Sequence, residues 1–188
     1  MAFLSDVDRA RIEAAIAAAE RRTTAEFITV ITPAADGYRY IPTLIAACTT
    51  FIVSGLALLL PLDFGHTAFY AGQVVTFMAL AVLFQWSPLK MRLVPRRIQA
   101  QRAGLLAHQQ FLDLGLSATR ARTGVMLFVS AAEHYVEIIA DTGIRRHIDD
   151  AVWQAIEADF IAAVRSGRIA DGFVAAIEAC TAALATHL

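Results

Sequence analysis

The sequence predicts an α/β fold interrupted by a pair of membrane-spanning helices. Three observations predict it: two long runs without a charged residue, three short β-branched or apolar runs bounded by turn residues, and several amphipathic stripes of helical period. The chain has 188 residues, 57% of them hydrophobic, and a mean hydropathy of +0.55, which is more apolar than a typical soluble domain. Lys and Arg number 16 against 17 Asp and Glu. A net charge of -1 provides no general attraction to nucleic acid, which is not expected as a partner.

The first helix is expected from about Asp6 to Arg22, with Ser5 and Asp8 as a capping pair and Val7, Ile12, Ile16 and Ala19 as its apolar stripe. Phe27 to Ile31 reads as a buried strand ending before Pro33 and Gly37. The N-terminal residues lack a basic start leading into an apolar core, so no signal peptide is expected.

From Ile41 to Leu62 and from Thr67 to Leu89 no charge occurs, and each run is long enough to cross a bilayer as a helix. The predicted spans are about 41–62 and 66–88, a hairpin occupying 41–89, flanked by domain segments 1–40 and 90–188. Pro42, Pro61 and Pro88 fall near the predicted helix ends, and Tyr40, Tyr70 and Trp86 near the interfaces. Arg39 precedes the first span and Lys90, Arg92, Arg96, Arg97 and Arg102 follow the second, against Asp63 and His66 between them. This asymmetry places both termini in the cytoplasm of a two-pass protein, with membrane lipid as its first partner. Small residues recur at four-residue spacing, Ala46, Thr50 and Ser54 in one span and Ala68, Gly72 and Thr76 in the other. Such stripes let helices approach each other, another membrane protein or a second copy in a homo-oligomer.

Pro95 opens a basic helix to about Asp113, with Ile98, Leu105 and Leu112 read as one side. Gly124 to Ser130 and Tyr135 to Ala140 read as buried strands joined into an antiparallel hairpin by Ala131 to His134. Asp149 or Asp150 caps a helix carrying Val152, Ile156, Phe160 and Val164, which Gly167 ends. A last helix from Ile169 to about Thr186 carries Phe173, Ile177, Cys180 and Leu184 on one stripe. Cys48 and Cys180 have neither metal-ligand nor disulfide spacing and read as small hydrophobes.

Candidate chemistry sits at strand and helix ends. Asp141, Asp149 and Asp150 are suited either to hold Ca²⁺ or Mg²⁺ through hard oxygens, or to make a turn and cap a helix. Glu133 and His134 read as a solvated turn, because no nucleophile or second carboxylate is tied to them.

The run Arg122, Thr123, Gly124, strand, link, Tyr135 to Ala140, Asp141, Thr142, Gly143, Asp149, Asp150, helix, Gly167, Arg168, Gly172, with Thr24 to Phe27 upstream, resembles the TPM domain family. The resemblance implies a small Rossmann-like α/β/α sandwich, here in the form of the bacterial inner-membrane branch whose transmembrane hairpin follows the first strand. Divalent-metal binding and acid phosphatase activity occur in that family, and one member is an accessory receptor subunit. The resemblance thus implies either an adaptor or accessory subunit of a membrane complex, or a divalent-metal-dependent phosphatase. Many relatives read Gly, Leu, Glu after the strand; this chain reads Gly143, Ile144, Arg145, with a basic residue at the glutamate position.

Overall fold

The computed structural model describes residues 4–59, 65–118, 122–146 and 148–185. The chain forms two compact units, one from residues 1–35 and 100–188 and one from 36–99.

In the first unit α1 (Asp6–Glu20) opens with the expected capping box: Ser5 Oγ accepts from the Asp8 N–H and the Asp8 carboxylate accepts from the Ser5 N–H. Ile12 and Ala19 are buried as expected, whereas Val7 stands exposed, because at helical spacing it falls on the side of α1 opposite Ile12, Ile16 and Ala19. The sheet has the order β1-β2-β3, with β1 (Glu26–Thr32), β2 (Gly124–Ser130) and β3 (Tyr135–Ala140). β1 runs parallel to β2, Glu26 opposite Gly124, and β2 runs antiparallel to β3, Ser130 opposite Tyr135. All seven residues of β2 are buried, which is why its run shows no polar alternation: both of its faces are covered and both of its edges are paired.

The alternation of side chains divides the core in two. On one face Phe27, Val125, Leu127, Val129 and Val136 pack with α1, α7 (Asp150–Arg165) and α8 (Ile169–Ala185), where Phe160 and Phe173 meet edge to face at 4.9 Å. On the other, Ile28, Val30, Met126 and Phe128 pack with Ala107 and Phe111 of α5 (Arg96–Asp113) and with Leu116 of the 3-10 turn Leu116–Ala118. The result is a small α/β/α sandwich. The inner stripe of α5 is Ala103, Ala107 and Phe111, rather than the Leu105 and Leu112 that the sequence nominates; both leucines are exposed. The reason is steric: small residues let α5 lie close to the sheet, and a Cβ on Gly104 would come within 3.0 Å of Tyr135 Oη.

Asp149 caps α7 and accepts from the Ala151 N–H, with Asp150 the first helical residue. Gly167, at φ +80°, ends it: the Gly167 N–H donates to Val164 O and the Arg168 N–H to Ala163 O, the Schellman pattern. The stripe Phe173, Ile177, Cys180 and Leu184 of α8 is fully buried.

In the second unit α2 (Tyr40–Ala57) and α3 (His66–Phe84) are long and apolar enough to cross a membrane, at 18 and 19 residues. Only 17% of the first window and none of the second is buried. Thr43 and Thr50 return their hydroxyl protons to the carbonyls of Arg39 and Ala46, one turn back, so neither needs water. Gln85 Nε2 reaches Arg39 O and Thr43 Oγ1, both at 3.4 Å, linking the end of α3 to the start of α2. The expected second span to Pro88 is shorter: α3 ends at Phe84, Trp86 is extended, and Pro88 sits in the first turn of a new helix, α4 (Ser87–Leu93). Proline is accommodated there because a first-turn N–H has no helical partner. The expected end of the first span, 60–62, lies outside the described residues.

Candidate functional site

The polar groups of the sandwich gather along β3, the strand at the edge of the sheet. Its odd residues face α5. Tyr135 Oη donates to Glu137 Oε2 at 3.0 Å, and His108 Nδ1 of α5 lies 2.9 Å from Gly104 O and 3.8 Å from Glu137 Oε1. Burial, and then the Glu137 carboxylate beside it, raise the Tyr135 phenol above its ordinary value. Its even residues, Ile138 and Ala140, line a cleft of about 280 Å³ with Arg145, Asp150, Trp153, Gln154 and Glu157. Burial and the nearby Glu137 raise the Glu157 carboxyl, while Arg145 lowers it. Trp153 Nε1 is buried without a hydrogen-bond partner among the described residues.

The predicted ligands Asp141, Asp149 and Asp150 sit at the end of this strand and the helices after it. Asp141 is 7% exposed; its N–H donates to Gly124 O, extending the β2–β3 ladder by one residue, and its Oδ1 accepts from the Thr142 N–H at 2.6 Å. It thereby caps α6 (Thr142–Arg145), a single turn too short to leave a periodic signal in the sequence. Its Oδ2 is buried with no hydrogen-bond partner among the described residues. Asp149 and Asp150 are exposed, and only Asp150 lines the cleft. Among the described residues no three His, Cys, Asp or Glu side chains converge as a cation site.

Glu133 is not the solvated turn residue expected. Its Oε1 accepts from the Ala35 N–H at 3.0 Å and its Oε2 from the fully buried Ser130 hydroxyl, so it ties the β2–β3 link to the segment after β1. His134 is exposed at φ +50°. Of the site residues that the sequence reading missed, Glu137 had a visible signal, as the one charge within the apolar run Tyr135–Ala140. Trp153 and Glu157 had none; they reach the strand only through the packing of α7 on β3.

Residues 92–183 match the family model described as TPM domain. Over this segment the chain carries a TPM domain. The matched segment begins at the end of α4 and runs through α5, β2, β3 and most of α8. The sheet of this TPM domain is completed from upstream, since β1 pairs with β2 along its whole length. The fold is similar to the NMR structure of BA42 protein from the psychrophilic bacterium Bizionia argentinensis, with a TM-score of 0.59, 17% identity, and coverage of 98% of this chain and 83% of that one. No curated protein matches the sequence.

Proposed function

We propose that this chain is a two-pass protein of the bacterial inner membrane, with both termini cytoplasmic, whose TPM domain serves as an adaptor or accessory subunit for another membrane protein. The observation that carries the membrane part is the exposure of α2 and α3. Leu44, Phe51, Ile52, Val53 and Leu56 on one, and Val74, Val75, Met78 and Val82 on the other, are each more than half exposed. A core helix of a soluble protein hides such side chains; lipid is the solvent that suits them. The cationic flanks Arg39, Lys90, Arg92, Arg96 and Arg97 then set the orientation.

The adaptor part is supported by what the carboxylates do. Asp141, Asp149 and Glu133 are each engaged by backbone or hydroxyl donors that hold the fold, and the uncommitted polar groups lie along an open strand edge. The small-residue stripes add a second contact surface. Ala46 and Thr50 are buried and Ser54 half-buried, whereas Ala68 and Gly72 are exposed and Thr76 is half-buried, which leaves α3 a surface of small residues for a neighbouring helix. Extraction of native membranes with a mild detergent, followed by purification of the chain, tests the reading: a companion membrane protein is expected reproducibly, and recovery of this chain alone counts against it.

A second reading, a divalent-metal-dependent phosphatase, is favoured by one observation, the buried Asp141 Oδ2 that has no partner. On this reading Asp141 would supply a ligand to Ca²⁺ or Mg²⁺, whose chemistry is to polarise a phosphoryl oxygen, while Asp149 and Asp150 do not converge with it among the described residues. Calorimetry with Ca²⁺, Mg²⁺ and Mn²⁺ alongside phosphate release from a generic ester tests it; absence of both heat and turnover at millimolar metal removes it.

A further inference from the structure

We propose that the outer edge of β3 at Ile138–Ala140 receives an extended segment of a partner protein by strand addition, and that basic side chains of that segment face Glu137 on the α5 side of the sheet or Glu157 on the α7 side. The inference rests on the adaptor reading and names the chemistry of its partner.

The backbone supplies the first argument. In an antiparallel pair, residues alternate between those that bond across the pair and those whose N–H and C=O point away from it. The Asp141 N–H bonds to Gly124 O, so in the register Val125 opposite Ala140 the odd residues of β3 bond to β2. The N–H and C=O groups of Ile138 and Ala140 therefore point off the sheet. Among the described residues no strand, side chain or loop pairs with them. Val136, at 6% exposure, is covered, so the open stretch is the C-terminal half of the strand. Such an edge is a template for an incoming strand.

The flanks supply the second. Glu137 stands on the α5 face of the edge and Glu157 on the α7 face, close enough for the first to raise the carboxyl of the second. With Asp150, the cleft side carries two carboxylates against one guanidinium, Arg145. A lysine or arginine entering here meets negative charge on either face, so the alternation of an added strand can deliver it from either side. The same charges oppose pairing of this edge with the edge of a second copy, where each carboxylate would approach its own counterpart. Charge thus selects a basic heterologous segment over self-association. The indole of Trp153 walls the cleft, and its Nε1–H, lacking an acceptor, has a bond to gain if it turns toward the carbonyl of an incoming strand.

The test uses the full chain in detergent micelles, titrated with acetyl-Val-Lys-Val-Lys-Val-amide and with its glutamate counterpart, and read from backbone amide and indole NMR signals. The lysine peptide is expected to shift Ile138, Ala140 and the Trp153 indole and to bind on the order of tenfold more tightly than the glutamate peptide. Ala140→Pro removes one outward N–H at a position where an edge strand tolerates proline, and is expected to lose the lysine peptide while keeping its dispersed spectrum. Glu157→Gln, a half-buried and conservative change, is expected to narrow the discrimination between the two peptides to about threefold, and it decides the matter if the proline variant does not fold. Millimolar lysine peptide without shifts along β3, equal binding by wild type and Ala140→Pro, unchanged discrimination in Glu157→Gln, or dimerisation through β3 without peptide would each overturn the proposal. The titration needs no native partner, so its failure leaves the outcome of the membrane co-purification standing.

Discussion

Glu157 illustrates how position on the sheet edge governs a single ionisation. Burial and Glu137 raise its carboxyl, and Arg145 only partly opposes them, so the folded chain holds this proton to higher pH than the unfolded chain does. Between the unfolded value, near 4.5, and the raised folded value the native state binds more protons, and stability falls as pH rises through that window. Glu157→Gln removes the loss. Because the group is partly solvated the gain is small: thermal unfolding at pH 7 should rise by about 2 °C, with no rise at pH 4. Circular dichroism melts at the two pH values check both the size and the sign. Gly124 shows the opposite, purely steric, dependence. A Cβ there would lie 2.7 Å from Leu116 O and 2.9 Å from Leu116 Cβ, and Leu116 is itself buried and cannot yield. Gly124→Ala should cost about 2 kcal/mol, visible as a lower urea midpoint at unchanged slope.

At the scale of elements, the helix ends follow local chemistry. The Ser5–Asp8 box, the Asp149 cap and the Gly167 stop all act where the sequence places them, because each is satisfied within a few residues of itself. Asp149→Ala should cost about 1 kcal/mol, measured by denaturant unfolding, since the Ala151 N–H loses its acceptor. The inner face of α5 was not legible in the same way. Leu105 and Leu112 satisfy a helical period, yet the face that reaches the sheet is set by how closely the helix approaches Tyr135, which favours Ala103, Gly104 and Ala107. The two cysteines separate the environments of the elements that carry them. Cys180 is buried in α8 and burial pushes its thiol up to about 12, so it should stay unmodified by iodoacetamide in the folded chain. Cys48 is exposed on α2. A membrane-impermeant maleimide should leave it unlabelled in intact membranes and label it after the membrane is dissolved and the protein denatured; labelling in intact membranes would place α2 in water.

For the molecule as a whole, the division into two units is what the proposed membrane reading requires of a chain with two solvents. Residues 36–99 bury little of the apolar surface of α2 and α3, while the unit of 1–35 and 100–188 buries its own in two layers about a three-stranded sheet. Insertion of residues 36–99 after β1 is compatible with the sheet because β1 and β2 are parallel neighbours, and a parallel pair needs a long connection in any case.

The sequence by itself determined the elements, their caps, the uncharged helical pair and the family, since each of these is written in periodicity or in residues close together along the chain. Tertiary structure alone decided the strand order, the inner face of α5, the structural role of Glu133 and the meeting of Glu137, Trp153 and Glu157 beside an open strand. Those depend on distances between residues far apart in the chain, which are settled by packing rather than by local pattern.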